Sequence, residues 1–468
     1  MKIYFREELP MGCISGHKIL SKIGCCIRMN LREVTLNALL QVDVEEGYSN
    51  LTLNKALRAA SLSAQDNAFI SALFYGVVER RLTLDWVISG HSSVKSEKIS
   101  PVVREILRMG IYQLLYMDKV PSSAAVNESV KLAKRKKEFG ATGFINGVLR
   151  SISRRKGQKL DFSDISTPVE RLSVEYSVSF DIIRNWRRDY QDEAEELLGS
   201  LFTRRPVTVR VNTLKTTAEE LAVLLGQEGV TATAHSLIVN ALVLEKAASI
   251  ENLRAYRDGL FHVQGAASQL CCMAVDARPG ENILDLCAAP GGKSFTLAQD
   301  MSDSGNVTSL DIHHHRIELI AKGSERLGIN SIRTGINDAS LQNRELQGFN
   351  KVLCDVPCSG LGVISKKPEI RYKNLTNLDK LTRMQYLIIS NAAKSLKQSG
   401  RLIYSTCTLN KAENEDVVDV FLADNPGFEP EPLPPKIPLS DANIRHMTTL
   451  MPHKNDTDGF FIASFKKL

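Results

Sequence analysis

The sequence has no long hydrophobic run. Its longest apolar stretch, residues 68–78, falls well short of the roughly 20 residues that a membrane-spanning helix needs. Glycine and proline are not in excess either, with 29 and 16 among 468 residues, and apolar residues make up 43% of the chain. Membrane-spanning, collagen-like, low-complexity and wholly disordered proteins are therefore excluded. We expect a soluble, multidomain globular protein of about three domains.

The nine cysteines lack the spacing of a zinc site or of a secreted disulfide framework. Their number is odd, and no secretory hydrophobic segment precedes them. Beyond the first 28 residues, Cys354 and Cys358 form the only close non-adjacent pair, and no second pair completes four ligands. The histidines at 313–315 are interpreted as an exposed cluster at a helix start. We therefore expect a cytoplasmic protein with free thiols and no bound metal.

Positive charge is concentrated in the first third of the chain. Residues 29–160 carry 20 basic and 12 acidic side chains, whereas residues 161–468 carry 34 and 39. Two basic clusters, within residues 131–137 and 150–159, stand close together in sequence, and we expect the turn at residues 140–143 to bring them together. This pattern favours a face that binds the phosphates of a nucleic acid. A solvated helix face is the alternative.

The periodicity divides the chain into successive regions. Residues 1–28 show no sustained period and are interpreted as a disordered tail or an untranslated extension. Apolar residues then recur at intervals of three and four over residues 29–156, which predicts an all-α domain, with Asp66 and Ser100-Pro101 marking helix starts. Residues 157–168 are predicted to be a linker.

A small α+β module is predicted over residues 169–275. Residues 207–212 alternate and are rich in β-branched side chains, which is typical of a strand. The basic residues near this strand are candidate RNA contacts, although a basic residue on a strand is ordinarily just solvated: Arg204, Arg205 and Arg210.

Residues 276–468 alternate between short apolar runs and helical segments. The runs lie at residues 283–286, 307–310, 351–354 and 401–404. Such alternation predicts an α/β, Rossmann-like domain with a mostly parallel, doubly wound sheet, which binds its ligand at the carboxyl ends of the strands.

A loop of small residues follows the first of these runs. It consists of Cys287, Ala288, Ala289, Pro290, Gly291, Gly292 and Lys293. The loop matches the phosphate-binding motif of an NTPase poorly, because Cys287 stands where that motif needs glycine and Pro290 has no N–H group. As a nucleoside-binding loop it fits better, since Asp311 follows Gly291 by 20 residues at the next strand end. A carboxylate at that spacing suits ribose hydroxyls.

Two more acidic residues follow strands. Asp338 is expected at a third strand end, within reach of an adenine edge, and Asp355 directly follows the run at 351–354. A lone aspartate is most often a turn or cap residue, but acidic residues at three successive strand ends favour a cationic, sulfonium-bearing cofactor over a triphosphate.

Two cysteines also stand just after strands. Cys358 follows Asp355 by three residues, and Cys407 follows the run at 401–404 by the same number. Most cysteines only pack in the core, but both of these lie where such a sheet presents its ligands. A thiolate that adds to carbon 6 of a pyrimidine makes carbon 5 a methyl acceptor, and a second group must then assist release.

The motifs around these residues resemble the NOL1/NOP2/Sun family of RNA cytosine-5 methyltransferases. The segments that carry the resemblance are LDLCAAPGGKS, DVPCSGLGVISKKPEIRY, YSTCTLNKAENEDVV, FHVQGAASQL and PHKNDTDGFFIASF. The segments AAVNESVKLAKR and FINGVLR further resemble NusB-type RNA-binding domains. Together the two resemblances cover nearly all of residues 29–468, and the combination is similar to the branch that modifies small-subunit ribosomal RNA.

The resemblance implies a role for each matching residue. Cys407 would attack carbon 6, and Cys358 would assist release of the methylated product. Residues 287–293 would border S-adenosyl-L-methionine, with Asp311 on the ribose and Asp338 on the adenine. Asp355 would lie near the methionine end or the target base. Lys293 would orient the base or a carboxylate.

The expected substrate is a single-stranded or flipped cytosine of small-subunit (16S) ribosomal RNA, and the protein is expected to act as a monomer. Transfer RNA as the substrate and a noncatalytic RNA-binding assembly factor remain the alternatives, with an NTPase as a third.

Overall fold

The computed structural model describes residues 30–45, 49–155, 157–245, 250–438 and 445–468, so the predicted extension at residues 1–28 lies outside the described part. The N-terminal domain is helical. Its α-helices are α1 Leu31–Glu45, α2 Ser49–Ala60, α3 Ala64–Glu79, α4 Arg81–His91, α5 Pro101–Tyr116, α6 Ser122–Arg135 and α7 Thr142–Ser153. Short 3-10 turns lie at Ser96–Lys98 and Phe139–Ala141. The prediction of an all-α domain is confirmed.

The helix starts follow from side-chain caps. Ser100 accepts a hydrogen bond from the backbone N–H of Val103, and Pro101 occupies the first turn of α5, as predicted. The prediction for Asp66 is wrong: α3 begins two residues earlier, and Ser63 caps it by accepting from the N–H of Asp66. The hydroxyl at 63 competes better because it precedes the helix, whereas Asp66 lies within its first turn.

The first basic cluster lies at the end of α6 and just beyond it, and the second begins in the last turn of α7. Helices α6 and α7 pack against each other. The expectation that the turn at 140–143 brings the clusters together stays a prediction. At the first cluster, Lys136 forms an ion pair with Glu33, while Arg154 is exposed.

The middle of the chain contains three helices followed by a small sheet. These elements are α8 Pro168–Tyr176, α9 Phe180–Tyr190, α10 Glu193–Ser200, β1 Val207–Val211, α11 Ala218–Gln227, β2 Thr231–Ala234, β3 Ala241–Glu245, α12 Arg254–Arg257, β4 Phe261–Val263 and α13 Ala266–Val275, with a 3-10 turn at Ile250–Asn252. The sheet is antiparallel in the order β2-β3-β1-β4. The predicted α+β module is therefore present.

The expectation that Arg210 contacts RNA is wrong. Its side chain is buried and forms an ion pair of 2.7 Å with Asp300. Arg205 is largely covered as well, and its guanidinium donates to the backbone carbonyl of Pro452. Both arginines thus attach the small module to the C-terminal domain, whereas Arg204 is exposed.

The C-terminal domain alternates strands and helices. Its elements are β5 Asn282–Asp285, α14 Gly292–Asp300, β6 Asn306–Asp311, α15 His314–Leu327, β7 Ile332–Ile336, β8 Phe349–Asp355, α16 Leu378–Ser395, β9 Leu396–Thr406, α17 Glu415–Asp424, β10 Phe428–Pro430, β11 Met447–Leu450, α18 Pro452–Asn455 and β12 Phe460–Lys467. Short 3-10 turns lie at Leu361–Val363, Pro368–Tyr372 and Lys411–Glu413.

The large sheet has the order β10-β12-β9-β8-β5-β6-β7, and β11 pairs with β12. The strands from β9 to β7 are parallel, and β12 is antiparallel to β9. Apolar side chains of α13, α14 and α15 pack in one core cluster with the sheet, while those of α16 and α17 pack in another. The predicted mostly parallel, doubly wound sheet is confirmed.

The 3-10 turn Pro368–Tyr372 joins the three parts of the molecule. The fully buried Arg371 donates to the backbone carbonyls of Tyr176 and Leu201, and the Tyr372 hydroxyl donates to the carbonyl of Val78 in α3. The N-terminal helices therefore sit directly on a turn that begins ten residues after Cys358. Within the described ranges, the helices include none long and apolar enough to cross a membrane.

Candidate active site

Cys358 and Cys407 meet at the carboxyl ends of β8 and β9. These neighbouring strands are parallel, so the loops that follow them leave the sheet at the same edge. The two sulfur atoms are 3.2 Å apart. The structure therefore brings together the two thiols that the sequence singled out, although they are 49 residues apart.

The thiols have opposite electrostatic tendencies. A hydrogen bond from Cys358 lowers the pKa of Cys407, and Lys293 and Lys367 act in the same direction, whereas burial and Asp355 oppose it. The same contact, together with burial, raises the pKa of Cys358 well above its usual range. Cys407 is thus the better nucleophile of the pair, and Cys358 the better holder of a proton.

A chain of polar contacts joins the small-residue loop to both cysteine loops. The Lys293 ammonium group lies 2.5 Å from the Asp355 carboxylate, and the Ser405 hydroxyl donates to the other oxygen of Asp355 at 3.0 Å. Burial alone would lower the pKa of Lys293, but Asp355 outweighs it and raises that pKa. Lys293 therefore stays charged, and its contact is with a carboxylate.

The small-residue loop turns sharply between β5 and α14. Its Ala289-Pro290 peptide bond is cis, and Gly291 has a φ of +107°. A Cβ atom at Gly291 would lie 2.4 Å from the ring of Phe295, so only glycine fits there. The loop ends at the N-terminus of α14, where the first N–H groups of a helix have no intrahelical partner. Cys287 lies at the start of this loop, and burial raises its pKa.

Acidic side chains occupy the neighbouring strand ends. Asp311 ends β6, and one of its oxygens accepts from the N–H of His313 at 3.0 Å, while the other receives no hydrogen bond from the described residues and has Arg316 3.7 Å away. Asp338 lies two residues beyond β7 and binds the N–H and hydroxyl of Ser340 through one oxygen. Each carboxylate thus keeps an oxygen available for hydroxyl or amine groups.

Asp285 is a further acidic residue at this edge, and sequence analysis missed it. It is buried at the end of β5, where one oxygen accepts from Ser294 at 2.7 Å and the other has no hydrogen-bond partner among the described residues. Burial raises its pKa to about 7, against the hydrogen bond from Ser294. An unpaired buried oxygen beside the small-residue loop, with the acidic strand ends, fits a cationic cofactor that carries hydroxyl groups.

Glu413 is the other site residue that sequence analysis missed. It is completely buried and accepts hydrogen bonds from residues beside both cysteines. In the sequence it stands in a run of acidic residues before α17, which is typical of a solvated helix start. One signal in the sequence could have revealed Glu413. A hydroxyl residue follows each cysteine, Ser359 and Thr408, and a buried hydroxyl needs a hydrogen-bond partner.

Metal ligands do not converge in the part of the chain that the structure describes: no group of three or more His, Cys, Asp or Glu residues is arranged to hold an ion. The histidine run lies at the start of α15, where His314 is exposed and 3.4 Å from Glu318.

Models of three protein families match successive parts of the chain. The NusB family matches residues 29–154, the ferredoxin-like domain of RsmF/B-like methyltransferases matches residues 182–251, and the family described as 16S rRNA methyltransferase RsmB/F matches residues 272–466. The helical domain, the small module and the α/β domain thus each have a counterpart.

Similar proteins extend over most of the chain. The probable ribosomal RNA small subunit methyltransferase B of Bacillus subtilis (strain 168) is 35% identical over 451 residues, which are 94% of this chain and 99% of that protein. Its counterpart from Synechocystis sp. (strain PCC 6803) is 33% identical over 448 residues, 94% of this chain and all of that protein. The crystal structure of PH0851 has a TM-score of 0.80 at 25% identity and covers 94% of this chain and 99% of its own.

Proposed function

The chain belongs to the 16S rRNA methyltransferase RsmB/F family, and on this premise we propose that it methylates carbon 5 of a cytosine in small-subunit ribosomal RNA. The methyl donor is S-adenosyl-L-methionine, and the reaction proceeds through a covalent bond between Cys407 and carbon 6. The observation that carries the proposal is the pair of thiols at adjacent strand ends, 3.2 Å apart and with opposite pKa shifts.

The cofactor would be held by the small-residue loop and the acidic strand ends. Residues 287–293 would border it, Asp311 would accept from the ribose hydroxyls, and Asp338 would accept from the adenine amine. When bound, it supplies a methyl group on a positively charged sulfur. The acidic strand ends at Asp311 and Asp338 give this edge the negative charge that favours such a ligand.

Cys407 acts as the nucleophile. Its sulfur adds to carbon 6, and the electron pair of the carbon 5–carbon 6 double bond moves toward carbon 5, in conjugation with the rest of the ring. Carbon 5 thereby becomes electron-rich enough to accept a methyl group. The hydrogen bond from Cys358 and the charge of Lys293 stabilise the thiolate before attack.

Cys358 assists the release of the product. After methylation, carbon 5 carries both a methyl group and a proton. Loss of that proton to a base re-forms the double bond and expels the Cys407 thiolate. Because Cys358 lies 3.2 Å from the departing sulfur, it can donate a hydrogen bond to that thiolate as the bond breaks.

The target cytosine must be single-stranded or flipped out of its stack, because carbon 6 is not accessible to a thiol within an RNA helix. All the residues assigned to this chemistry come from one chain, so we propose that the protein acts as a monomer. The basic N-terminal helices would hold the RNA backbone, since they rest on the turn that closes the Cys358 segment.

Transfer of a labelled methyl group to small-subunit ribosomal RNA tests the proposal. Wild-type protein is expected to yield 5-methylcytosine, Cys407→Ala no product and no covalent RNA adduct, and Cys358→Ala an adduct that accumulates. Cys354→Ala, at another buried cysteine in the core cluster with α16 and α17, serves as the control and should behave as wild type. Methylation of transfer RNA alone would change the substrate, and tight RNA binding without any transfer would instead indicate an assembly factor.

A further inference from the structure

Glu413 contacts both cysteine loops without contacting either sulfur. The residue is completely buried, in the short turn before α17. Its carboxylate oxygens accept hydrogen bonds from the Ser359 N–H at 2.8 Å, the Ser359 hydroxyl at 2.5 Å, Gln385 at 3.0 Å, Asn410 at 3.0 Å and the Thr408 hydroxyl at 3.4 Å. A buried carboxylate with this many donors is held in a single orientation.

These contacts fix the residues directly beside the thiols. Ser359 follows Cys358 and Thr408 follows Cys407, and their hydroxyl oxygens are 2.7 Å apart. The backbone of Glu413 contributes as well, because its carbonyl accepts from the Tyr404 hydroxyl in β9 at 2.6 Å. Through one side chain, the loop after β8 is therefore tied to the loop after β9.

Some of the remaining contacts support one loop, and backbone hydrogen bonds also join the two loops. Gln385 also donates to the carbonyl of Pro357, and Lys373 donates to the carbonyl of Ser359. Between the loops, the N–H of Gly362 donates to the carbonyl of Cys407, and the N–H of Val356 donates to the carbonyl of Ser405. Glu413 adds a side-chain tie to these backbone bonds, because its carboxylate accepts from both loops at the residues directly beside the thiols.

We propose that Glu413 is a positioning residue for the two-thiol reaction, which fixes the distance between the Cys358 and Cys407 sulfur atoms. The inference rests on the proposed function and deepens it by naming the group that couples nucleophilic attack to release. Replacement of the carboxylate by an amide would turn two acceptor lone pairs into N–H donors that face other donors. Ser359 and Thr408 would then shift apart, although the backbone bonds between the loops remain, and the hydrogen bond between the sulfurs would weaken.

The test compares Glu413→Gln with Glu415→Gln. Glu415 is a half-buried acidic residue two positions along the chain, whose carboxylate accepts from Thr449 outside the site. The rate at which iodoacetamide alkylates Cys407 is measured against pH without RNA, from the mass of the peptide that contains it. The groups that act on this thiol are Cys358, Asp355, Lys293 and Lys367, and all four are intact in both variants.

We expect Glu413→Gln to raise the midpoint of the alkylation profile by about one pH unit and to slow methyl transfer about 100-fold. Glu415→Gln should leave both at the wild-type value. If folded Glu413→Gln has the wild-type midpoint and rate, the proposal is overturned. If Glu413→Gln does not fold, Ser359→Ala carries the test, since it removes one donor to Glu413 and should raise the midpoint in the same direction.

The two proposals fail in different ways. Wild-type protein that makes no 5-methylcytosine would contradict the proposed function, whereas the alkylation profile needs no RNA and reports only on the thiol pair. A shifted midpoint in Glu413→Gln therefore supports the positioning role on its own. Loss of methyl transfer with an unchanged midpoint would overturn it.

Discussion

The sulfur of Cys407 lies 3.2 Å from the sulfur of Cys358. This contact makes the thiols unequal, because one donates the hydrogen bond that lowers the pKa of the other. Burial alone would raise the pKa of a buried thiol, and it raises the pKa of both Cys271 and Cys354. In the proposed reaction, the second cysteine would therefore contribute before attack, by favouring the thiolate, as well as during release.

The same proximity predicts sensitivity to oxidation. A two-electron oxidant such as hydrogen peroxide is expected to convert the two thiols into a disulfide, with a shortening of the sulfur separation to about 2.05 Å. Methyl transfer should then stop and return on treatment with dithiothreitol. Peptide mass spectrometry would identify the Cys358–Cys407 link, and Cys271→Ser should oxidise in the same way. Inactivation without this link would contradict the prediction.

Replacement of Asp355 should destabilise the protein as well as inactivate it. Asp355→Asn leaves the Lys293 ammonium group, which is 13% exposed, without its 2.5 Å partner. Breaking a pair of this kind costs about 3 kcal/mol, measurable as the free energy of unfolding in urea at pH 7. Adding Lys293→Met to Asp355→Asn should recover part of the loss, because no uncompensated charge then remains. A single variant as stable as wild type would show that the pair contributes nothing.

The architecture could be predicted from the sequence because it depends on the periodic spacing of apolar residues. The intervals of three and four in the N-terminal region and the alternation of strands and helices after residue 276 reflect burial of apolar faces, and the parallel strands then place Cys358 and Cys407 at one edge. Arg210 shows the limit of this reasoning. A basic residue on a strand has the same pattern whether it faces solvent or a partner such as Asp300, which only tertiary packing determines.

Glu413 and Asp285 could not be identified from the sequence for a related reason. Acidic residues in the run 413–416 are typical of an exposed helix start, and Asp416 is in fact exposed. Burial of Glu413 depends on donors from Ser359 and Gln385, which are distant along the chain. Side-chain networks of this kind have no period, so the sequence shows their members but not their connections.

Gly362 should tolerate no side chain. A Cβ atom there would lie 1.9 Å from the backbone oxygen of Gly459 and 2.9 Å from the carbonyl of Cys407, so Gly362→Ala must displace the backbone at Gly459 and the loop that carries Cys407. We expect methyl transfer to fall about 100-fold. Gly226→Ala is the control, because a Cβ atom at Gly226 meets nothing within 4 Å, and it should keep full activity. Equal rates in the two variants would contradict the prediction.

Substitution of an exposed arginine should weaken RNA binding, whereas substitution of a buried arginine should not. Arg154 is exposed after α7, so Arg154→Gln is expected to reduce the slope of log affinity against log salt by about 0.7 to 0.9. Arg210→Gln should leave that slope unchanged and instead lower stability by about 3 kcal/mol, because Asp300 loses its buried partner. The measurements are binding titrations at several salt concentrations and urea unfolding. A reduced slope in Arg210→Gln would contradict the assignment.

Asp285 should make stability depend on pH. Burial raises its pKa to about 7 in the folded protein, against 3.8 as the ordinary value. Between these values the folded state binds more protons than the unfolded state, so the free energy of unfolding falls as pH rises from about 4 to about 7, by up to about 4 kcal/mol. The Asp285→Asn side chain cannot ionise, so the variant should lack this pH dependence of the free energy of unfolding. The difference in unfolding free energy between variant and wild type should therefore grow across that interval and level off above it, and a difference that stays constant with pH would show that Asp285 does not titrate there.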